Sequence, residues 1–220
     1  MNRPALPGLE GLTLGNVYGI GRNYAEHAAE LNNPVPPEPV IFMKPSVSIT
    51  FDGLVKIPAF VREPHYEAEL VVAIGHTFKG TDVVDALGAV AGYAVGIDIT
   101  ARDIQQQLKQ KGLPWFAAKG LDTFGPVSFF IGKELLPDVG NARFQLHVNG
   151  ELRQQGDTSE MIFPVGQLLT HLSKYVTLLP GDLVFTGTPS GVGLLKNNDR
   201  LRACLEPSLL TMDVTVAFTS

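Results

Sequence analysis

A chain of 220 residues, 45% apolar and 18% charged, is expected to bury roughly 70% of its unfolded surface. That composition excludes intrinsic disorder, and apolar runs such as residues 70–74 fall far short of the ~20 residues of a membrane helix. A net charge of −5 argues against a nucleic-acid partner, so an anionic ligand would need a metal or a few placed cations.

Met1-Asn2-Arg3-Pro4 has no basic segment running into an apolar one, and the single cysteine, Cys204, allows no internal disulfide and no thiolate metal cage. A reducing, cytoplasmic location is the expectation. The 23 Gly and 16 Pro make up close to a fifth of the chain, against a usual ~12%, and predict many turns and short strands. No repeat or linker divides the sequence, so we expect one domain over 1–220 with residues 1–16 as an N-terminal extension. Asn23 predicts the cap of a short helix over 24–31, stopped by Pro34-Val35-Pro36-Pro37. So short a helix is marginal alone, and segment 22–33 reads as a mobile lid.

Strands are predicted over 40–43, 54–57 and 67–74. Thr81 caps an expected helix over 81–87, a Gly-punctuated strand covers 90–100, and a polar helix over 101–111 stops at Gly112. Strands over 126–131 and 143–148 follow. Asn149-Gly150 predicts a type I′ hairpin, because both residues tolerate positive φ. Val165, Leu168, Leu169, Leu172 and Tyr175 recur at helical spacing behind Pro164. Pro180-Gly181-Asp182 turns into a strand over 183–186, and 211–218 alternates apolar and polar. The fold class expected is α+β, mainly β, with a few short helices.

Glu67 and Glu69 are two apart on a predicted strand, so their carboxylates share a face and repel unless a cation lies between them. Read alone, such a pair is a solvated strand face. Asp98, flanked by Ile97 and Ile99, changes the reading, because an unpaired charge there is costly. The three acids form a candidate all-oxygen site for Mg²⁺ or Mn²⁺. His27 and Glu30 share a helix face at i, i+3 and suit a carboxylate-held general base; a surface histidine beside a chance acid is the plainer alternative. Lys119 stands among small apolar residues, where a lysine is partly desolvated and can pair with an anion, although a surface turn would explain it equally. Arg22 and Lys44 carry the same ambiguity. Residues 187–193 lack the Gly-Lys-Ser/Thr ending of a phosphate loop, but their backbone N–H groups and the Thr188 hydroxyl could meet a carboxylate.

In this order the motifs Gly21-Arg22-Asn23-Tyr24-Ala25-Glu26-His27, Phe42-Met43-Lys44-Pro45-Ser46, His65-Tyr66-Glu67-Ala68-Glu69-Leu70, Gly96-Ile97-Asp98-Ile99-Thr100-Ala101-Arg102-Asp103, Lys111-Gly112-Leu113-Pro114-Trp115, Ala118-Lys119-Gly120 and Thr158-Ser159-Glu160-Met161-Ile162-Phe163 resemble the fumarylacetoacetate hydrolase family, in its short acylpyruvate hydrolase-like form. The resemblance implies a mixed β-sandwich roll, usually a homodimer. It also implies Mg²⁺ or Mn²⁺ on Glu67, Glu69 and Asp98, a water-activating dyad of His27 and Glu30 on the lid, Lys119 as a cation near the reacting oxygens, and Gln105 and Thr188 as substrate contacts. Arg22 and Lys44 match the motifs as further substrate-binding candidates. Residues 206–210 replace the family's usual ending. The function expected is metal-dependent hydrolysis of a C–C bond in small 2,4-diketo acids through an enolate, with oxaloacetate decarboxylation at the same site. Alternatives are a 2-hydroxyhepta-2,4-diene-1,7-dioate isomerase or 5-oxopent-3-ene-1,2,5-tricarboxylate decarboxylase of aromatic catabolism, and a non-catalytic 2-oxo acid binding protein.

Overall fold

Two sheets hold most of the core. The computed structural model describes residues 3–30 and 34–219. A six-stranded sheet runs in the order Ile131–Gly132, Val90–Ile97, Ala68–Ile74, Leu183–Phe185, Val17–Gly21 and Val40–Lys44. Its pairings are antiparallel except Val17–Gly21 against Leu183–Phe185. A five-stranded sheet orders Glu151–Asp157, Arg143–Val148, Arg200–Leu205, Leu210–Phe218 and Leu54–Ile57. Tyr18, Leu70 and Val95 from the first sheet pack in one core with Phe144, Leu201 and Val214 from the second. The opposite face of the six-stranded sheet is covered by Leu6, Leu14, Ile49 and Phe130, two of them from the N-terminal segment.

The expected mainly-β architecture with few short helices is the one observed. At Asn149 and Gly150 φ is 53° and 86°, as a type I′ turn requires. The helix Val165–Tyr175 buries Val165, Leu168, Leu169 and Leu172, while Tyr175 is 65% exposed and lies beyond the apolar stripe. Glu206–Leu209 forms one helical turn before Leu210–Phe218 joins its sheet. No helix among the described residues is long and apolar enough to cross a membrane.

Several local expectations fail for tertiary reasons. The helix after residue 80 is Val83–Gly88, capped by Asp82 through the Asp85 amide, not by Thr81. The strand expected over 126–131 is only Gly125–Pro126 and Ile131–Gly132. The short helix is Ala25–Glu30; Leu31 lies outside the described residues. Asn23 caps nothing: its amide donates to Phe163 O (3.1 Å) and Thr186 O (2.8 Å), and its Oδ1 accepts from Phe163 N (2.8 Å). Spending one side chain on three distant backbone groups satisfies more buried polar atoms than a local cap would.

Candidate metal centre and active site

The acid floor is built where two strands change sheets. Glu67 lies between Pro64–Tyr66 and Ala68–Ile74, and Asp98 between Val90–Ile97 and Thr100–Ala101. Each therefore sits where the chain leaves the six-stranded sheet for a three-stranded one. The Asp98 amide donates to Glu67 O at 2.7 Å, joining the two crossings. Carboxylate oxygens of Glu67, Glu69 and Asp98 lie within 4.8 Å of one another, and all three residues are buried.

Like charges so close ionise together only with help. Burial works to raise the Glu67 carboxyl, but Lys119 and Arg102 outweigh it and hold it below the usual carboxylate range. Burial raises Glu69 well above that range and Asp98 adds to the effect; Lys119 and the Gly187 N–H, 2.7 Å from Oε2, offset only part of it. Burial thus favours the protonated form of Glu69, and a cation bound there would have to displace that proton.

Three basic side chains surround the floor. Lys119 Nζ donates to Glu67 Oε2 (2.7 Å), Asp98 Oδ2 (2.5 Å) and Thr100 Oγ1 (2.6 Å). Those bonds spend its three N–H groups, so Lys119 acts on anything in the cleft through charge. Burial opposes that charge, and Asp98 and Glu67 prevail to raise the Lys119 pKa. Arg102 donates to Glu67 Oε1 and, at 2.6 Å, to Gln105 Oε1. Lys44 Nζ is 2.6 Å from Asp98 Oδ1 with both side chains fully buried, but its hydrogen bonds run to the carbonyls of Lys119 (2.5 Å) and Phe124 (2.9 Å). Asp98 Oδ1 rests against the Lys44 ammonium, which has one N–H left to face it. Three buried carboxylates within 4.8 Å of one another, one of them favouring its protonated form, make an all-oxygen set that fits a hard divalent cation.

His27 is 5% exposed, with Nδ1 3.3 Å from Glu30 Oε2. A carboxylate can only accept, so the ring proton belongs on Nδ1 and Nε2 keeps its lone pair. Burial lowers the His27 pKa, and Glu67 and Glu30 restore only part of the loss, so the imidazole is neutral at pH 7. Glu30 also accepts from Gly191 N at 3.1 Å, and Ser190 Oγ donates to Glu26 Oε2 at 3.1 Å. Both bonds latch the short helix onto the loop over 187–193. Arg22, at φ 61°, turns the chain into that helix in a conformation that costs a non-glycine residue about 1–2 kcal/mol.

One cleft is lined by Glu67, Glu69, Asp98, Lys119, His27, Arg22, Gln105 and Thr188. Glu30 stands behind His27. Lys44, expected at the substrate, instead lies behind Asp98, because its position at the end of Val40–Lys44 turns it under the acid floor. Arg102, Lys109, Phe42 and Trp115 also line the cleft and were not singled out from sequence. Arg102 had a legible signal: it opens the helix Arg102–Gln110, where the helix dipole disfavours a cation. Lys109 is pushed down by burial and by Arg22 and Arg102, the mark of crowded cations at the cleft's rim.

The family model for the C-terminal region of fumarylacetoacetate hydrolase matches residues 16–217. The chain belongs to the fumarylacetoacetate hydrolase family. Within it, the chain is 46% identical to the mitochondrial oxaloacetate tautomerase FAHD1 of Bos taurus, over 86% of both proteins. It is 43% identical to the mitochondrial oxaloacetate decarboxylase of Dictyostelium discoideum, over 82% of this chain and 84% of that one. The fumarylpyruvate hydrolase of Pseudomonas aeruginosa, solved with Mn²⁺ and pyruvate, is 32% identical and aligns with a TM-score of 0.88 over 100% of this chain and 99% of that one. This fumarylacetoacetate hydrolase family member is thus an enzyme whose relatives include oxaloacetate tautomerases and a decarboxylase, a fumarylpyruvate hydrolase and a 2-hydroxyhepta-2,4-diene-1,7-dioate isomerase.

Proposed function

We propose that the protein is a divalent-metal-dependent enzyme of small 2-oxo dicarboxylates that interconverts the enol and keto forms of oxaloacetate and decarboxylates it. The observation that carries this reading is a neutral histidine facing an acid floor in a cleft rimmed by Arg22, Arg102 and Lys109. Glu67, Glu69 and Asp98 would hold Mg²⁺ or Mn²⁺, which supplies Lewis-acid polarisation of a 2-oxo group beside a carboxylate. The basic rim offers charge to a second carboxylate, which oxaloacetate has and a simple acylpyruvate lacks. For tautomerisation, His27 Nε2 removes a proton from C3, the C2 oxygen takes the negative charge and then a proton from water, and His27 returns its proton to solvent. For decarboxylation the C3–C4 bond breaks, carbon dioxide departs, and C3 of the resulting enolate takes a proton. Lys119 lowers the energy of both by placing positive charge near the developing oxyanion. The identity to the bovine tautomerase supports this order of preference.

A second reading is hydrolytic cleavage of an acylpyruvate or fumarylpyruvate. The Glu30-held His27 favours it, being equally able to deprotonate water, as does the likeness to the Pseudomonas hydrolase. A Mn²⁺-supplemented panel of oxaloacetate, acylpyruvates, fumarylpyruvate and 2-hydroxyhepta-2,4-dienedioate separates the readings. Oxaloacetate is expected to show a kcat/KM at least about tenfold above the others, a difference of ~1.4 kcal/mol. Water-dependent release of a carboxylic acid as the fastest reaction would reverse the order, and binding without turnover of any compound would remove both.

The pH profile tests the base. Activity needs unprotonated His27, whose pKa burial sets below the ordinary 6.5, so at saturating Mn²⁺ kcat/KM for oxaloacetate is expected to hold from pH 8 to 6.5 and fall only at lower pH. His27→Gln is expected to cut kcat about 10²–10⁴-fold with Mn²⁺ affinity unchanged. An acid limb that survives in His27→Gln would assign the base elsewhere.

A further inference from the structure

Gln154 takes no part in the chemistry above, yet it is among the most completely buried polar residues of the fold. It lies in Glu151–Asp157, the edge strand of the five-stranded sheet, between exposed Arg153 and Gln155, and is 1% exposed. A buried amide at such a position is unfavourable unless its polar atoms are met. They are met by segments distant in the chain. Oε1 accepts from Ala68 N at 2.9 Å, and Nε2 donates to Thr188 Oγ1 at 2.8 Å and to Pro189 O at 3.0 Å.

The two ends of this amide are not interchangeable. A backbone N–H only donates and a backbone carbonyl only accepts, so Ala68 assigns Oε1 and Pro189 assigns Nε2. Thr188 Oγ1, beside Nε2, has to accept. Its own hydrogen reaches no acceptor among the described residues, and Thr188 lines the cleft.

We propose that Gln154 is a positioning residue that sets the proton direction of Thr188: by occupying a lone pair of Oγ1 it turns the hydroxyl hydrogen into the cleft and makes Thr188 a donor to an anionic oxygen of the substrate. The inference rests on reading the cleft as a 2-oxo acid site. Reversing the polarity would present oxygen lone pairs to a carboxylate, which is repulsive. Ala68 separates Glu67 from Glu69, so the same amide also holds the acid strand against the loop that carries Thr188.

The test uses the Mn²⁺-loaded full chain with pyruvate as the probe, followed calorimetrically, alongside Mn²⁺ affinity and oxaloacetate kinetics. Gln154→Glu keeps the acceptor for Ala68 but offers Thr188 a second acceptor, drawing its hydrogen away from the cleft. Pyruvate Kd and oxaloacetate KM are expected to rise about tenfold, the loss of one hydrogen bond to a charged group, with kcat and Mn²⁺ affinity held. Thr188→Val is expected to weaken pyruvate by a similar factor and Thr188→Ser to retain it. In the Thr188→Val background Gln154→Glu should add almost nothing, because its effect runs through the hydroxyl. If Gln154→Glu does not fold, Gln154→Met, which leaves the Thr188 lone pair without a donor, takes its place and is expected to weaken pyruvate in the wild-type background but not in Thr188→Val. Wild-type pyruvate binding that survives Thr188→Val, or penalties that simply add, overturns this inference alone; a wild type that binds no pyruvate overturns the functional reading as well.

Discussion

Glu69→Gln is expected to abolish Mn²⁺ binding while leaving the metal-free protein at least as stable as the wild type. The two halves of this result have one cause. Burial among Asp98 and Glu67 raises Glu69 well above its ordinary 4.5, so the folded chain holds its proton more tightly than the unfolded chain. The stability this contributes is complete below pH 4.5 and is lost as pH climbs through the folded value. A glutamine is neutral at every pH and escapes that loss, and its amide oxygen can still accept from Gly187 N. It cannot serve as an anionic ligand. At a Mn²⁺ concentration about 100 times Kd, the wild type should gain ~2.7 kcal/mol, or roughly 5–10 °C in Tm for a chain of this length. The variant should gain nothing. Wild-type Mn²⁺ affinity should rise with pH over the range in which Glu69 titrates, because the ion displaces its proton. A Mn²⁺-induced Tm rise of full size in Glu69→Gln would remove Glu69 from the metal site.

Lys119→Met is expected to separate metal affinity from turnover. Lys119 Nζ joins Glu67, Asp98 and Thr100, and its loss leaves Glu67 with Arg102 alone and Asp98 with Lys44 alone, which lowers the stability of the metal-free fold. A divalent cation is the natural replacement, so Mn²⁺ should bind more tightly and restore much of the lost Tm. Turnover of oxaloacetate should nonetheless fall on the order of 10²-fold or more, because the fixed charge near the developing oxyanion is gone. Thermal unfolding with and without Mn²⁺, set beside kcat, measures both effects. Wild-type kcat in the variant, or weaker Mn²⁺ binding, would contradict the role of the ammonium as a charge held apart from the ion.

The acid floor was largely legible from local pattern. Glu67 and Glu69 share a face by the strand period, and Asp98 between two isoleucines signals a charge that must be met. Their convergence was expected from the chemistry, but the way the chain brings them together was not legible. Apolar runs at 67–74 and 90–100 read as unbroken strands, since periodicity does not say to which sheet a strand belongs, and only the assembled sheets show both segments crossing between sheets at their acids. Arg102, opening a helix against its dipole, was a readable anomaly in retrospect.

Position in the chain could not reveal Lys44 or Asn23. A lysine at a strand end belongs on the surface by local rules, and only packing puts it beneath Asp98. An asparagine before a helix is a cap by the same rules, until backbone groups 140 and 163 residues away claim its amide.

By itself the sequence determined the elements whose signal is local: the positive-φ hairpin at Asn149-Gly150, the apolar stripe from Val165 to Leu172, and the identity of the acids and of the His27–Glu30 pair. The tertiary structure alone decided which polar atoms are left without partners, and therefore which residues hold the site together. Gln154 meeting Ala68 and Thr188, 86 and 34 residues away in the chain, is the clearest case. Periodicity and propensity act over a few residues, whereas the demand that every buried donor find an acceptor is settled only once distant segments have packed.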